Sequence, residues 1–342
     1  MTADSPAPLP LAITMGCPAS IGPEIIVRLF GAPGTEKKNK TLPACVVVGD
    51  MAVLRQAAAE LNIDLDLAAW QPGQPLASGA LSVLDMGQVP HPVTWGQPDL
   101  KTARAMIAYI ETAVQGCMQK QFAGMVTCPI SKEGLKLAGS PFPGHTEMLA
   151  RLTRADRFKM MLAGERLRVV LVTIHEPLAR VPELLTSERI RECITVTRQA
   201  LERDLGMTSP RIAVAGLNPH CGENGMFGNE EQEIIAPAIA SCQGEGEISG
   251  PWPPDTVFYQ AAQGRHDAVV CMYHDQGLIP FKLLHFRDGV NITLGLPIVR
   301  TSVDHGTAYD IAGQGIAHTD SLRAAIMQAA AISRNRTKRQ TQ

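Results

Sequence analysis

RVVLVTIH at 168–175, RIAVAGLNPH at 211–220 and DAVVCMYH at 267–274 are three runs of one kind: a stretch of apolar, largely β-branched residues closed by a histidine. Apolar runs without polar alternation suit strands covered on both faces. LAITMG (11–16), ACVVVGD (44–50) and GMVTCP (124–129) repeat the pattern without the histidine. Between them, DLKTARAMIAYIETAVQGCMQK (99–120) spaces its apolar residues at helical intervals. SERIRECITVTRQALERDL (187–205) does the same, with Ser187 as the expected helix cap. This alternation predicts an α/β fold with mostly parallel sheets. QPGQPLASG (71–79) and QGEGEISGPWPPD (243–255) read as loops. The closing SRNRTKRQTQ reads as a frayed, polar helix end. There is no internal repeat.

A length of 342 residues suits two domains, and 45% hydrophobic with 19% charged residues suffices for a substantial core. Lys plus Arg (31) nearly balances Asp plus Glu (33), which argues against nucleic acid or an anionic membrane as partner. A local basic pocket for one small anion is compatible with that balance. No uncharged apolar stretch approaches the roughly 18 residues of a membrane span. MTADSPAPLP has neither a basic start nor a long apolar run, so no secretory signal is expected. The eight cysteines include no CxxC pair, and Cys45 and Cys271 sit inside apolar runs as small core residues. The expected compartment is the reducing cytoplasm.

In a parallel sheet the strand C-termini share one edge, where ligands bind. His175, His220 and His274 delivered to that edge form a candidate site for a divalent metal. Three protein ligands leave a coordination position open to substrate, as in catalytic sites. Cys221 is a possible fourth ligand or a packing neighbour. Asp275 either orients the imidazole beside it or is an ordinary turn residue. PFPGHTEML (141–149) sets His145 and Thr146 in a turn before a helical pattern, with Thr146 as a candidate cap and the first-turn amides facing an anion. Lys282, Asn291 and Arg300 in FKLLHFRDGVNITLGLPIVR (281–300) offer cationic and amide donors for a phosphate. GCPASIGPE (16–24) resembles a glycine-rich strand-to-helix turn but is not GxGxxG.

Taken together, GHTE (144–147), GLNPHCGENG (216–225), YHDQGL (273–278), and NITLGLP with RTSVDHGTA inside 291–308 resemble the 4-hydroxythreonine-4-phosphate dehydrogenase family of vitamin B6 biosynthesis, over nearly the whole chain. The resemblance implies that His175, His220 and His274 bind one divalent metal (zinc, magnesium or cobalt). It implies that His145, Thr146, Lys282, Asn291 and Arg300 contact a small phosphorylated substrate. It also implies a homodimer with the site at the subunit interface, so that one histidine comes from the partner. The fold implied is two α/β/α lobes with an active-site cleft between them. Residues 1–130 with 290–342 would form the lobe carrying the cofactor loop, and 131–289 the lobe carrying the metal histidines. HGTAYDIAG further resembles the cofactor loop of isocitrate and isopropylmalate dehydrogenases, which implies NAD or NADP near His305, Gly306, Thr307 and Asp310.

The reaction implied is metal-dependent oxidation of 4-phosphooxy-L-threonine to 2-amino-3-oxo-4-phosphooxybutanoate, which decarboxylates to 3-amino-2-oxopropyl phosphate. The general base stays open among His145, Asp275 and a metal-bound water. A threonate or erythronate phosphate, or a carboxylated cyclohexadiene diol, is the alternative substrate on the same scaffold. A metal-dependent hydrolase is the alternative reaction, and a non-catalytic binding protein the third reading. The chain departs from the family pattern at Cys17, where an acid is usual, at Ser20, where glycine is usual, and at Pro254, where alanine is usual.

Overall fold

In the computed structural model, which describes residues 8–31, 42–90, 92–142 and 144–340, the apolar runs become strands. Residues 1–7, on which the reading of the N-terminus rests, and Pro143 of the PFPGHTEML turn lie outside the described residues. The strands are β1 (Leu11–Thr14), β2 (Cys45–Gly49), β3 (Leu67–Ala69), β4 (Leu81–Asp85), β5 (Gly124–Thr127), β6 (Lys159–Ala163), β7 (Arg168–Leu171), β8 (Arg211–Ala215), β9 (Glu247–Trp252), β10 (Ala268–Cys271), β11 (Val290–Leu294) and β12 (Arg300–Val303). The chain divides into two compact units, Met1–Ala155 with Leu296–Ser333, and Asp156–Gly295 with Arg334–Gln342.

The first unit orders its strands β3-β4-β2-β1-β5-β12, every pair parallel. β1, β2, β5 and β12 are buried along their whole length, as strands covered on both faces must be. The helix Leu100–Met118 starts where Asp99 accepts the amide of Thr102 while the Thr102 hydroxyl accepts the amide of Asp99, a reciprocal capping box. It buries Ala103, Met106, Ile110, Ala113, Val114 and Cys117, the face that the helical spacing predicts.

The second unit runs β11-β6-β7-β10-β8-β9. β6 is antiparallel to both its neighbours, while β7, β10, β8 and β9 are mutually parallel. Val169, Leu171, Ala213, Ala215, Val269 and Cys271 from the parallel strands pack with Val257, Phe258 and Phe281 from helices into one buried cluster.

Several expectations are corrected. The unit boundary falls at Ala155, not 130, because the helices Lys132–Leu137 and His145–Thr153 pack on Leu100–Met118. The second unit runs on through Gly295, because β11 pairs with β6. Segment 243–255 is not all loop. Glu247–Trp252 forms β9 at the end of its strand order, where a missing proline amide is tolerated. Thr186, not Ser187, caps the helix Ser187–Arg203. Its hydroxyl accepts the Arg189 amide, while Ser187 donates to the Ile234 carbonyl. The chain's last helix, Asp320–Gln340, does not fray at 333. Arg336 holds its end by two hydrogen bonds to the buried Asp204 carboxylate.

All eight cysteines are free thiols, and burial pushes those of Cys45, Cys117 and Cys193 up to about 12. No helix among the described residues is long and apolar enough to cross a membrane.

Candidate active site

β7, β10 and β8 are adjacent and parallel, so their C-terminal ends share one edge. His175 follows Leu171, His274 follows Cys271 and His220 follows Ala215, each within five residues of its strand end. The common edge expected of the three histidines is therefore present, but its turns do not bring all three together. The rings of His175 and His274 lie with centroids 5.6 Å apart. His220 instead faces Phe227, at 6.2 Å. Among the described residues, no group of three His, Cys, Asp or Glu side chains is placed to hold a metal ion.

His274 opens the helix His274–His285, and its Nδ1 lies 2.7 Å from Asp275 Oδ1. A carboxylate only accepts, so Nδ1 carries a proton, and in the neutral ring Nε2 is then the nitrogen with the lone pair. The contact gives Asp275 the geometry of an acceptor that orients the imidazole beside it. Two imidazoles with one tautomer held this way fit a borderline divalent metal.

His220 sits in an unusual turn. His220, Cys221, Gly222, Glu223 and Asn224 all have positive φ (52°, 55°, 78°, 45° and 57°). Four of these are not glycine, and the left-handed helical conformation costs such residues roughly 1–2 kcal/mol each, less for asparagine. Cys221 is half-buried, and desolvation leads the causes that push its thiol up to about 11. Without a metal the thiol is therefore protonated at neutral pH.

On the same unit, Lys282 stands over the Phe286 ring at 5.7 Å. Asn291 lies on β11 opposite Leu162, and its buried Oδ1 accepts no hydrogen bond from the described residues.

The first unit carries the other polar cluster. Arg300 opens β12, in register with Met125 on β5, and is only 3% exposed. Its Nη2 donates to Thr127 Oγ1 at 2.9 Å and lies 3.3 Å from His145 Nδ1. Burial pushes the guanidinium down to about 9, which leaves it a cation at neutral pH. Burial first, and then the Arg300 charge, hold His145 well below the usual imidazole range, so it is neutral. With Nδ1 accepting from Arg300, the ring proton is on Nε2, a buried donor without a partner among the described residues. Thr146 does not cap its helix. The N-cap is Gly144, which has no side chain to offer, and Thr146 is the second helical residue.

The loop 304–315 lies against the GCPASIGPE turn. The Ile21 amide donates to the Thr307 carbonyl, and the buried Glu24 carboxylate accepts the amides of Gly313 (3.0 Å) and Ala317 (2.9 Å). A Cβ at Gly306 would meet nothing within 4 Å, so the backbone at this exposed glycine has open space beside it. Asp310 is exposed in the short turn Tyr309–Ile311. The three departures from the family pattern have local roles. Cys17 is buried and burial raises its thiol; Ser20 donates to the Cys17 carbonyl and accepts the Gly22 amide; Pro254 takes the first turn of its helix.

Sequence reasoning missed Thr127, Glu24 and Glu231. Thr127 is the polar end of GMVTCP, the only signal it offers. The two glutamates read as ordinary surface residues until burial is known.

Residues 41–329 match the family model described as pyridoxal phosphate biosynthetic protein PdxA. A protein of Desulfosudis oleivorans named 4-hydroxythreonine-4-phosphate dehydrogenase is 54% identical, with 94% of this chain and 95% of that protein covered. The crystal structure of the enzyme of that name from Klebsiella pneumoniae superposes with a TM-score of 0.87 at 41% identity, covering 96% of this chain and 98% of that one. A terephthalate 1,2-cis-dihydrodiol dehydrogenase from Burkholderia xenovorans gives 0.64 at 27% identity, covering 94% and 98%.

Proposed function

Since this chain belongs to the pyridoxal phosphate biosynthetic protein family PdxA, we propose that it oxidises 4-phosphooxy-L-threonine at C3 with NAD or NADP, and that the β-keto acid product decarboxylates to 3-amino-2-oxopropyl phosphate. The observation that carries the reading is the His175–His274 pair at the strand ends, with its tautomer held by Asp275. When bound at the His175–His274 pair, a divalent metal would supply the Lewis acid that lowers the substrate hydroxyl's pKa, and a bound nicotinamide would supply the hydride acceptor. Nitrogen donors favour zinc or cobalt, and magnesium, which prefers oxygen ligands, fits least well.

The protein's own groups do the rest. Arg300 and Lys282 are the cations for the phosphate. His145 donates from Nε2 to a substrate oxygen, and Asn291 Oδ1 accepts from the substrate ammonium. Thr146 contacts the substrate from the first turn of its helix. In this arrangement neither His145 nor Asp275 serves as general base, because the first accepts from Arg300 at Nδ1 and already carries a proton on Nε2, and the second is engaged with His274. Backbone groups of His305, Gly306 and Thr307, with Asp310, hold the dinucleotide. The free thiols support a cytoplasmic enzyme.

The metal set is completed by a second copy. His220 is exposed, and among the described residues it forms no three-ligand group with His175 and His274, which suits its donation to a partner subunit. Ile279, Leu283 and Phe286 form an apolar stripe at i, i+4 and i+7 on the helix His274–His285 and its C-cap, 68%, 85% and 78% exposed. A monomer seldom leaves such a stripe in water.

The test is to incubate the purified protein with 4-phosphooxy-L-threonine and NAD or NADP, with and without chelator, and follow reduced nicotinamide absorbance. Chelator-sensitive reduction supports the reading. Phosphate release without reduction would move it to a hydrolase, and faster turnover of a dihydrodiol carboxylate would move the substrate.

A further inference from the structure

The left-handed turn that presents His220 is held from behind by one buried carboxylate. Glu231 Oε1 accepts the amides of Leu217 and Asn218, both at 2.7 Å. Its Oε2 accepts Asn218 Nδ2 at 3.0 Å, and the same Nδ2 donates to Glu230 at 2.6 Å. Glu231 is almost fully buried. Glycines make room for it on both sides of the histidine. A Cβ at Gly222 would come within 2.8 Å of Glu231 Oε2, and one at Gly216 within 3.1 Å of Oε1.

We propose that Glu231 is a positioning residue for the metal centre: it fixes the strained turn 220–224 and so presents His220, rigid and outward, as a ligand. The proposal rests on the reading of His220 as a metal ligand given above. A run of left-handed residues relaxes unless its surroundings over-determine it. Here the over-determination sits at the entry to the turn. Two consecutive amides, those of Leu217 and Asn218, converge on one oxygen, which sets the direction of the chain just before His220. The carboxylate touches neither the histidine ring nor any other proposed ligand. Its influence on the metal therefore passes through the backbone.

The expected effect is that of losing a partner that orients a ligand, about ten- to a hundredfold in metal affinity. Glu231→Gln retains an oxygen for the two amides and gives up only the contact with Asn218 Nδ2, which keeps Glu230 as its partner. It is the conservative variant.

The experiment titrates Co²⁺ into the metal-free full-length protein and reads the cobalt d–d absorption band. Wild type, Glu231→Ala, Glu231→Gln, Glu231→Asp and His220→Ala are compared, each checked for folding by circular dichroism. Wild type is expected to show the band and His220→Ala to lose it. Glu231→Ala is expected to bind ten- to a hundredfold more weakly with an altered band, and Glu231→Gln to recover most of the affinity. If Glu231→Ala fails to fold, Glu231→Asp decides, since its carboxylate is one methylene shorter and is drawn back from the Leu217 and Asn218 amides. Wild-type affinity and band in Glu231→Asp, or in a folded Glu231→Ala, overturns the proposal while leaving the ligand assignment standing. A wild type without the band, or a His220→Ala that keeps it, overturns the ligand assignment and the proposal with it.

Discussion

Asp275→Asn separates an orienting role for that residue from the role of general base. In the structure Asp275 Oδ1 lies 2.7 Å from His274 Nδ1, a contact between an imidazole donor and an ionised acceptor. The substitution keeps an oxygen acceptor of the same shape and removes the charge. Hydrogen bonds to charged groups contribute about 1.5–3 kcal/mol, and neutral ones about 0.5–1.5 kcal/mol. The difference is about 1–1.5 kcal/mol. The carboxylate is 71% exposed, so solvent screening places the effect at the lower end, about 1 kcal/mol. That corresponds to roughly a fivefold loss of metal affinity. The assay is competition for Zn²⁺ against a chromophoric chelator, run beside steady-state kinetics at saturating metal. The expected result is a modest loss of affinity, with kcat restored when metal is in excess. Unchanged affinity with kcat down by about 10²–10⁴ would refute the orienting role and make Asp275 the general base.

Arg300→Ala is expected to raise KM for the phosphorylated substrate about ten- to a hundredfold, the loss of one charge-assisted contact, with much less effect on an analogue lacking the phosphate. Equal losses on both compounds in steady-state kinetics would remove phosphate recognition from its role. Leu283→Glu, at an 85% exposed position, is expected to leave the fold of the subunit intact but convert a dimer to monomers in sedimentation velocity and abolish turnover; an active monomeric wild type would argue against the interface. Arg336→Ala removes two hydrogen bonds from the buried Asp204, at 2.7 and 2.9 Å, and is expected to destabilise the protein by about 3 kcal/mol in urea unfolding. Burial pushes the Asp204 carboxyl up, but hydrogen bonds from Arg336 and Arg203 outweigh it and hold the group below its usual value. The unfolded chain therefore binds the proton first as pH falls. The stability Asp204 contributes is present above about pH 4 and is lost as pH drops through the folded value. Arg336→Ala should flatten that acid limb.

The sequence by itself determined the elements whose signal is local. Six apolar runs became β1, β2, β5, β7, β8 and β10, because a strand covered on both faces needs apolar side chains at every position, and that pattern is written in neighbouring residues. The same runs placed His175, His220 and His274 at strand ends, since parallel strands share an edge whatever their order. β9 escaped notice because glycine and proline mask a strand at the end of its sheet order, and the cap at Thr186 because two adjacent hydroxyls compete for one role. Tertiary structure alone decided what meets across long separations. Arg300 reaches Thr127 and His145, residues 173 and 155 positions away, only once β12 is laid beside β5. It also decided that His220 lies beside Phe227 and forms no three-ligand group with His175 and His274 among the described residues, and that Glu24 and Glu231 are buried clamps and not surface acids. Burial is a property of the assembled chain: a glutamate becomes a clamp only when packing excludes water and supplies amides to satisfy its oxygens.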